Sequence, residues 1–188
     1  MKLVVGIGNP GPEYNRTRHN VGFDVLDRVV RKIAPGETPR SRFKGATIDV
    51  DLNGEKVVLL KPTTYVNCSG EAVGEAVRFY KLEAEDLLVV VDDTALPCGR
   101  MRIRPAGGHG GHNGLRNIAQ HMGHDDWCRL RIGIDAPGTI PLKNYVLGRF
   151  GPDQLDAVEP VLDRAADATE CWIRRGLDAA MNAYNPDQ

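Results

Sequence analysis

Short apolar runs rich in β-branched residues, separated by helical patterns, constrain this 188-residue chain more than any other feature. KLVVGI, EKVVLLK, DLLVVV and CRLRIGI are too short for core helices and end in polar or glycine-containing sequence, which suits buried strands. Between them, Val21 to Ile33 spaces Val21, Val25, Leu26, Val29, Val30 and Ile33 as one helical face, stopped by Pro35-Gly36. A second helix is expected from about Gly70 to Tyr80 and a short one from Leu115 to His121. The tail from Pro152 to Asn182 also reads as helical, with Pro160 expected in the first turn of a new helix. ATIDVDL and EKVVLLK flank Asn53-Gly54, the dipeptide that favours a two-residue hairpin. GRMRIRP alternates apolar with arginine, as a half-buried strand does. Strands alternating with helices predict an α/β fold: a twisted mixed sheet flanked by helices on both faces. Residues 1–188 are expected to form a single domain, with a helical C-terminal segment from about residue 152.

Composition excludes little. Apolar residues make up 41% and charged residues 26%, as in ordinary globular proteins. Lys and Arg total 24 against 25 Asp and Glu, so only local clustering of charge can indicate a nucleic-acid partner. The four cysteines are dispersed with no C-x-x-C pair, as expected of thiols in a reducing compartment. The chain starts directly on a strand-like run and has no apolar stretch of membrane-spanning length, so a cytoplasmic protein without membrane contact is expected.

GIGNPG poses a sharper question, because Gly6, Gly8 and Gly11 satisfy the G-x-G-x-x-G spacing of a dinucleotide-binding turn. That turn needs a helix starting at the loop, so that its N-terminus meets the pyrophosphate. Here Pro10 and Pro12 bracket Gly11, and no helical pattern begins before about Val21. The acidic candidates, Asp24 and Asp27, fall within a helix instead of at the end of a second strand. The motif therefore reads as a strand end that delivers Asn9 to the rim of the sheet, followed by a loop that delivers His19 and Asn20.

Four loops share that character: GIGNPG with TRHN, PTTYVNCSG, DDTALP and AGGHGGHNG. Asp92 ends an apolar strand and can orient His19 as a general base, fixing its tautomer and raising its basicity. Asn9 and Asn67 are neutral amide donors suited to a carbonyl oxygen or a developing oxyanion. Ser69 and Cys68 lie in no nucleophile elbow and have no adjacent base, so water activated by His19 is the simpler nucleophile. A zinc site built from the two H-x-x-H pairs, His109/His112 and His121/His124, lacks a carboxylate or thiol to complete it, and no metal is expected. Arg100, Arg102 and Arg104, with Arg129 and Arg131 at the same two-residue period, predict a basic stripe beside the glycine-histidine loop if their strands are neighbours. Such a stripe suits RNA phosphate.

VGIGNPGPEYNRTRHNVGFDVLD, KPTTYVNCSGEAV, GGHGGHNGLRNI and RLRIGI, in this order, closely resemble the bacterial-type peptidyl-tRNA hydrolase family, over Lys2 to about Gly176. The resemblance implies a single α/β domain with no metal or organic cofactor, and a monomer is expected. It implies hydrolysis of the ester joining a peptide to the 3′-terminal ribose of tRNA, with the acceptor stem and 3′ end as partner. It makes His19 the base and Asp92 its partner, and has Asn9 and Asn67 position the substrate and steady the tetrahedral intermediate. By the same resemblance Tyr14, Tyr65, Val66, His112, Asn113, Arg102, Arg104 and Arg131 contact peptide or tRNA. The chain departs from the family pattern at Val66, where methionine is usual, and at Thr94-Ala95, where Leu-Asp is usual. A non-hydrolytic RNA-binding relative and an esterase for small N-acylated amino-acid esters are the alternatives. The intact polar set argues against the first, and the basic stripe against the second.

Overall fold

A computed structural model describes residues 1–185 as one seven-stranded mixed sheet with helices on both faces. The strands are β1 (Lys2–Gly6), β2 (Arg40–Arg42), β3 (Gly45–Leu52), β4 (Glu55–Pro62), β5 (Leu87–Asp93), β6 (Met101–Arg104) and β7 (Cys128–Gly133), in the order β2-β3-β4-β1-β5-β7-β6. The four central strands run parallel, while β2, β3 and β6 attach antiparallel at the two sides. The helices are α1 (Val21–Ile33), α2 (Ser69–Tyr80), α3 (Asn113–Met122), α4 (Leu142–Val146), α5 (Pro152–Arg175) and α6 (Leu177–Tyr184).

Side-chain alternation explains why the central strands are apolar throughout. Leu3, Val5, Val58, Leu60, Leu87 and Val89 point into a core with α2 and α3. Val4, Val57, Leu59, Leu88 and Val90 point into the opposite core with α1 and α5. Both faces are covered, so neither can be polar. The hairpin turns on Asn53-Gly54 with φ of 58° and 90°, the left-handed pair that a two-residue loop demands.

The glycine-rich turn serves packing. A Cβ on Gly6 would lie 2.3 Å from the Gly22 carbonyl oxygen, and one on Gly22 would lie 2.5 Å from backbone atoms of Ile7 and Val90. The end of β1 and the start of α1 cross this closely because both positions lack a side chain.

The tail differs from expectation. Pro160 lies inside α5, which runs unbroken to Arg175, and the chain breaks at Gly176 instead. Proline removes one hydrogen bond to the carbonyl four residues earlier. That carbonyl belongs to Asp156, and both residues are on the exposed side. Val158, Val161, Leu162 and Ala165 anchor the helix across the break. Two short elements, β2 and α4, are too small to give a periodic signal. No helix among the described residues is long and apolar enough to cross a membrane.

Candidate active site

The first turns beyond β1, β4 and β5 meet at the carboxyl edge of the sheet. There α1 and α2 depart to opposite faces, the place where open α/β sheets form a crevice. A cleft of about 480 Å³ lies there, walled by the glycine-histidine loop on one side and by α4 on the other.

Two asparagines build its floor. The backbone N–H of Asn9 donates to Oδ1 of Asn20 at 2.9 Å, and Nδ2 of Asn20 donates to the Asn9 carbonyl at 3.0 Å. The Asn9 side chain in turn accepts the Val66 N–H at 2.9 Å, tying the end of β1 to the loop after β4. With its oxygen committed, Asn9 keeps its amide N–H groups for the cleft that it lines. Asn67 stands exposed on the same rim. Ser69 is buried and donates to the Val66 carbonyl at 2.8 Å, so its hydroxyl serves the loop.

His19 sits in a 3-10 turn, Arg18–Asn20, and its Nδ1 lies 2.9 and 3.0 Å from the two carboxylate oxygens of Asp92. His112 approaches the same carboxylate from the start of α3, with Nε2 at 3.0 Å from Oδ1. Its Nδ1 accepts the Leu115 N–H at 3.2 Å as the N-cap of that helix. A ring nitrogen that accepts carries no proton, so His112 Nε2 carries the proton and donates to Asp92. Donation by His19 Nδ1 leaves His19 Nε2 as a free base.

Burial disfavours the His19 imidazolium, but the charge of Asp92 and its hydrogen bond outweigh burial and raise the pKa above the usual value. Burial alone would raise the Asp92 pKa; the two histidines hold it well below the carboxylate range instead. The donor atoms of His19, Asp92 and His112 all lie within 4.8 Å of one another. The histidine nitrogens nearest the carboxylate lie at hydrogen-bond distance from it, so the trio forms one hydrogen-bonded relay. The two H-x-x-H pairs do not converge: His109 and His112 precede α3, whereas His121 and His124 lie at its far end, where His124 pairs with Asp126.

Most of the residues singled out in the sequence meet here. Asn9, His19, Val66, Asn67, Asp92, His112, Asn113 and Arg131 all line the cleft. Val66 does so mainly from below: it is 3% exposed and packs into the core with α2 and α3. Tyr14 and Tyr65 lie outside the cleft lining and form an edge-to-face pair with ring centroids 6.3 Å apart.

The basic stripe is real in register, since Arg102 pairs with Arg131 and Arg104 with Arg129 across β6 and β7. It is not uniform in role. Arg131 binds Asp93 at 3.1 Å and the Gly108 carbonyl at 2.8 Å. Arg129 is fully buried, stacks on Trp127 and donates to the carbonyls of Gly107, Asp125 and Trp127. Burial lowers its pKa to about 10. Arg129 therefore latches the glycine-histidine loop from beneath and leaves the solvent-facing stripe. Asn20 and Arg129 have functions that spacing could not reveal, because their partners lie 11 to 22 residues away or are backbone carbonyls of a loop.

Fold and site together define an open α/β protein whose carboxyl-edge cleft holds an aspartate-oriented histidine among asparagine amides. The model of the peptidyl-tRNA hydrolase family matches residues 3–188, and the chain belongs to that family. It is 46% identical over 186 residues to the peptidyl-tRNA hydrolase of Rhodopirellula baltica, covering 98% of this chain and 97% of that protein. The enzyme of Geobacter sp. (strain M21) is also 46% identical, over 184 residues, with the same coverage. A crystal structure of peptidyl-tRNA hydrolase from Acinetobacter baumannii superposes with a TM-score of 0.91 at 36% identity, covering 100% of this chain and 97% of that one.

Proposed function

We infer that the chain is a peptidyl-tRNA hydrolase, cleaving the ester between a peptide, or an N-acylated amino acid, and the 3′-terminal ribose of tRNA. One observation carries this reading beyond family membership. His19 is held by Asp92 through Nδ1, which leaves Nε2 free in the cleft that Asn9 and Asn67 also line.

In the proposed reaction His19 Nε2 takes a proton from water as the water oxygen attacks the ester carbonyl carbon. The carbonyl oxygen becomes an oxyanion, which the amides of Asn9 and Asn67 stabilise. Asp92 stabilises the imidazolium formed in this step and stays ionised. Collapse of the intermediate breaks the bond to the ribose oxygen, which takes the proton back from His19. The products are the free peptide acid and tRNA with its terminal hydroxyl restored. Asn113, Tyr14 and Tyr65 are assigned to the peptide and 3′ end, and Arg102, Arg104 and Arg131 to acceptor-stem phosphates. Residues 1–188 act as one unit, a cytoplasmic monomer.

The testing experiment is release of an N-acyl amino acid from an N-acylaminoacyl-tRNA by the purified protein. Hydrolysis by the parent that His19→Ala abolishes supports the reading; tRNA binding without hydrolysis would leave an RNA-binding relative.

A further inference from the structure

We propose that His112 is a positioning residue that sets the basicity of His19 through their shared carboxylate. The inference rests on the reading of His19 as the base, and it replaces the assignment of His112 to direct substrate contact.

Both ring nitrogens of His112 are committed within the protein, Nε2 to Asp92 and Nδ1 to the Leu115 amide. The side chain is only 8% exposed and has no free polar atom for a substrate. Its ring centroid lies 5.0 Å from that of His19, and the two rings approach one carboxylate. Asp92 is itself 3% exposed, so water cannot freely supply a substitute donor.

A carboxylate that accepts one hydrogen bond from one imidazole draws strongly on that imidazole's proton. Here Oδ1 is shared between His19 and His112. The second donor stabilises the carboxylate by itself and so weakens its hold on the His19 imidazolium. Without His112 the base would titrate at higher pH, and less of it would be free at neutral pH. The remaining charged groups at the cleft face one another or lie apart: Asp93 pairs with Arg131, and Lys143 stands on the α4 wall. His109 Nδ1 accepts the Gly111 N–H within the glycine loop.

The capping bond adds a constraint. Accepting the Leu115 N–H at Nδ1 ties the ring to the start of α3, so Nε2 is the nitrogen that faces Asp92 as donor.

Two variants separate the roles. In His112→Asn the amide oxygen can still cap α3, but the shorter arm does not reach Asp92; His112→Leu removes both interactions. The readout is the His19 titration by histidine-resolved NMR in the free protein, with the acid limb of kcat/KM measured in parallel. In His112→Asn we expect the His19 pKa to rise by roughly 0.5–1 unit, with the acid limb moving equally. KM for an N-acylaminoacyl-tRNA should stay within about twofold of the parent's. An unchanged His19 titration with a raised KM would overturn the proposal and return His112 to the substrate. His112→Leu should show the same upward shift with a lower melting temperature; a melting change alone would make the residue a helix cap only, and overturn the proposal as well. Because NMR reads the pKa without turnover, a shifted His19 in a parent that hydrolyses nothing would sink the enzymatic reading while leaving the coupling intact.

Discussion

Asn9 Oδ1 accepts the backbone N–H of Val66 at 2.9 Å, so one buried side chain joins the ends of two neighbouring parallel strands and aims its own amide at the cleft. Substitutions can divide these two jobs. Asn9→Asp keeps the acceptor for Val66 but puts a negative oxygen where an oxyanion should form. It should lower kcat by about 10²–10³ while leaving the melting temperature close to the parent's. Asn9→Ala leaves a buried N–H unpaired and should also cost about 1–3 kcal/mol in denaturant unfolding. A parent-like kcat in Asn9→Asp would remove the amide from the chemistry.

His19 gives a signed pH profile. Its pKa is raised, so the acid limb of kcat/KM should lie above the free-imidazole value of about 6.5. Stability follows the same linkage. The stabilisation that the His19 imidazolium gains from Asp92 is fully present below the unfolded pKa and is lost as pH rises through the raised folded one. His19→Ala should therefore show a flatter stability curve than the parent above about pH 6.5, measured by urea unfolding. A parent curve as flat as the variant's would mean that folding leaves the His19 pKa unchanged.

Asp92→Asn leaves one oxygen that can still accept from both histidines, as Oδ1 does in the parent, but it removes the charge and sets an NH2 group where Oδ2 faces His19 Nδ1. The His19 imidazolium loses its counter-charge and part of its orientation. We expect kcat to fall by about 10²–10⁴ with tRNA affinity retained. Comparable loss of affinity in a binding assay would show that the aspartate supports the cleft and not the base.

Val66 should govern stability more than substrate choice. It is 3% exposed, and a Cβ on Gly114 would come within 2.9 Å of its Cγ1, so the space around it is full. Val66→Met adds length to a packed site and should cost about 1–3 kcal/mol. Rates on N-acylaminoacyl-tRNAs with different side chains should change uniformly. A selective change at constant melting temperature would instead place the side chain against the peptide.

Arg129 and the Arg102–Arg104 pair should separate in salt. Arg102→Glu with Arg104→Glu should raise KM and make the salt dependence shallower by about one unit of slope per lost phosphate contact. Arg129→Met should leave that slope unchanged and lower stability by about 2–3 kcal/mol, since several carbonyls lose a charged donor. A shallower slope in Arg129→Met would return this arginine to the RNA-facing surface.

Much of this was written locally. The central strands are apolar on both faces because helices cover both, and a doubly covered strand reads as an unbroken β-branched run. Asn53-Gly54 specified its hairpin, and the polar residues at the strand ends identified Asn9, His19, Asn67 and Asp92 as one candidate set. The family pattern then supplied the substrate, which no single loop contains. Tertiary structure decided what depends on partners distant in sequence. Pro160 stays within α5 because packing on its apolar side outweighs one hydrogen bond lost at the exposed side. Arg129 and Arg131 share a period and a strand, yet one is buried beneath a loop and the other lines the cleft, since burial is set by what covers a strand and not by its alternation. His112 looks like a loop histidine in sequence. Only the meeting of α3 with the end of β5 commits its two nitrogens to a helix amide and to Asp92, because a hydrogen bond is made by distance and direction, which one-dimensional spacing does not carry.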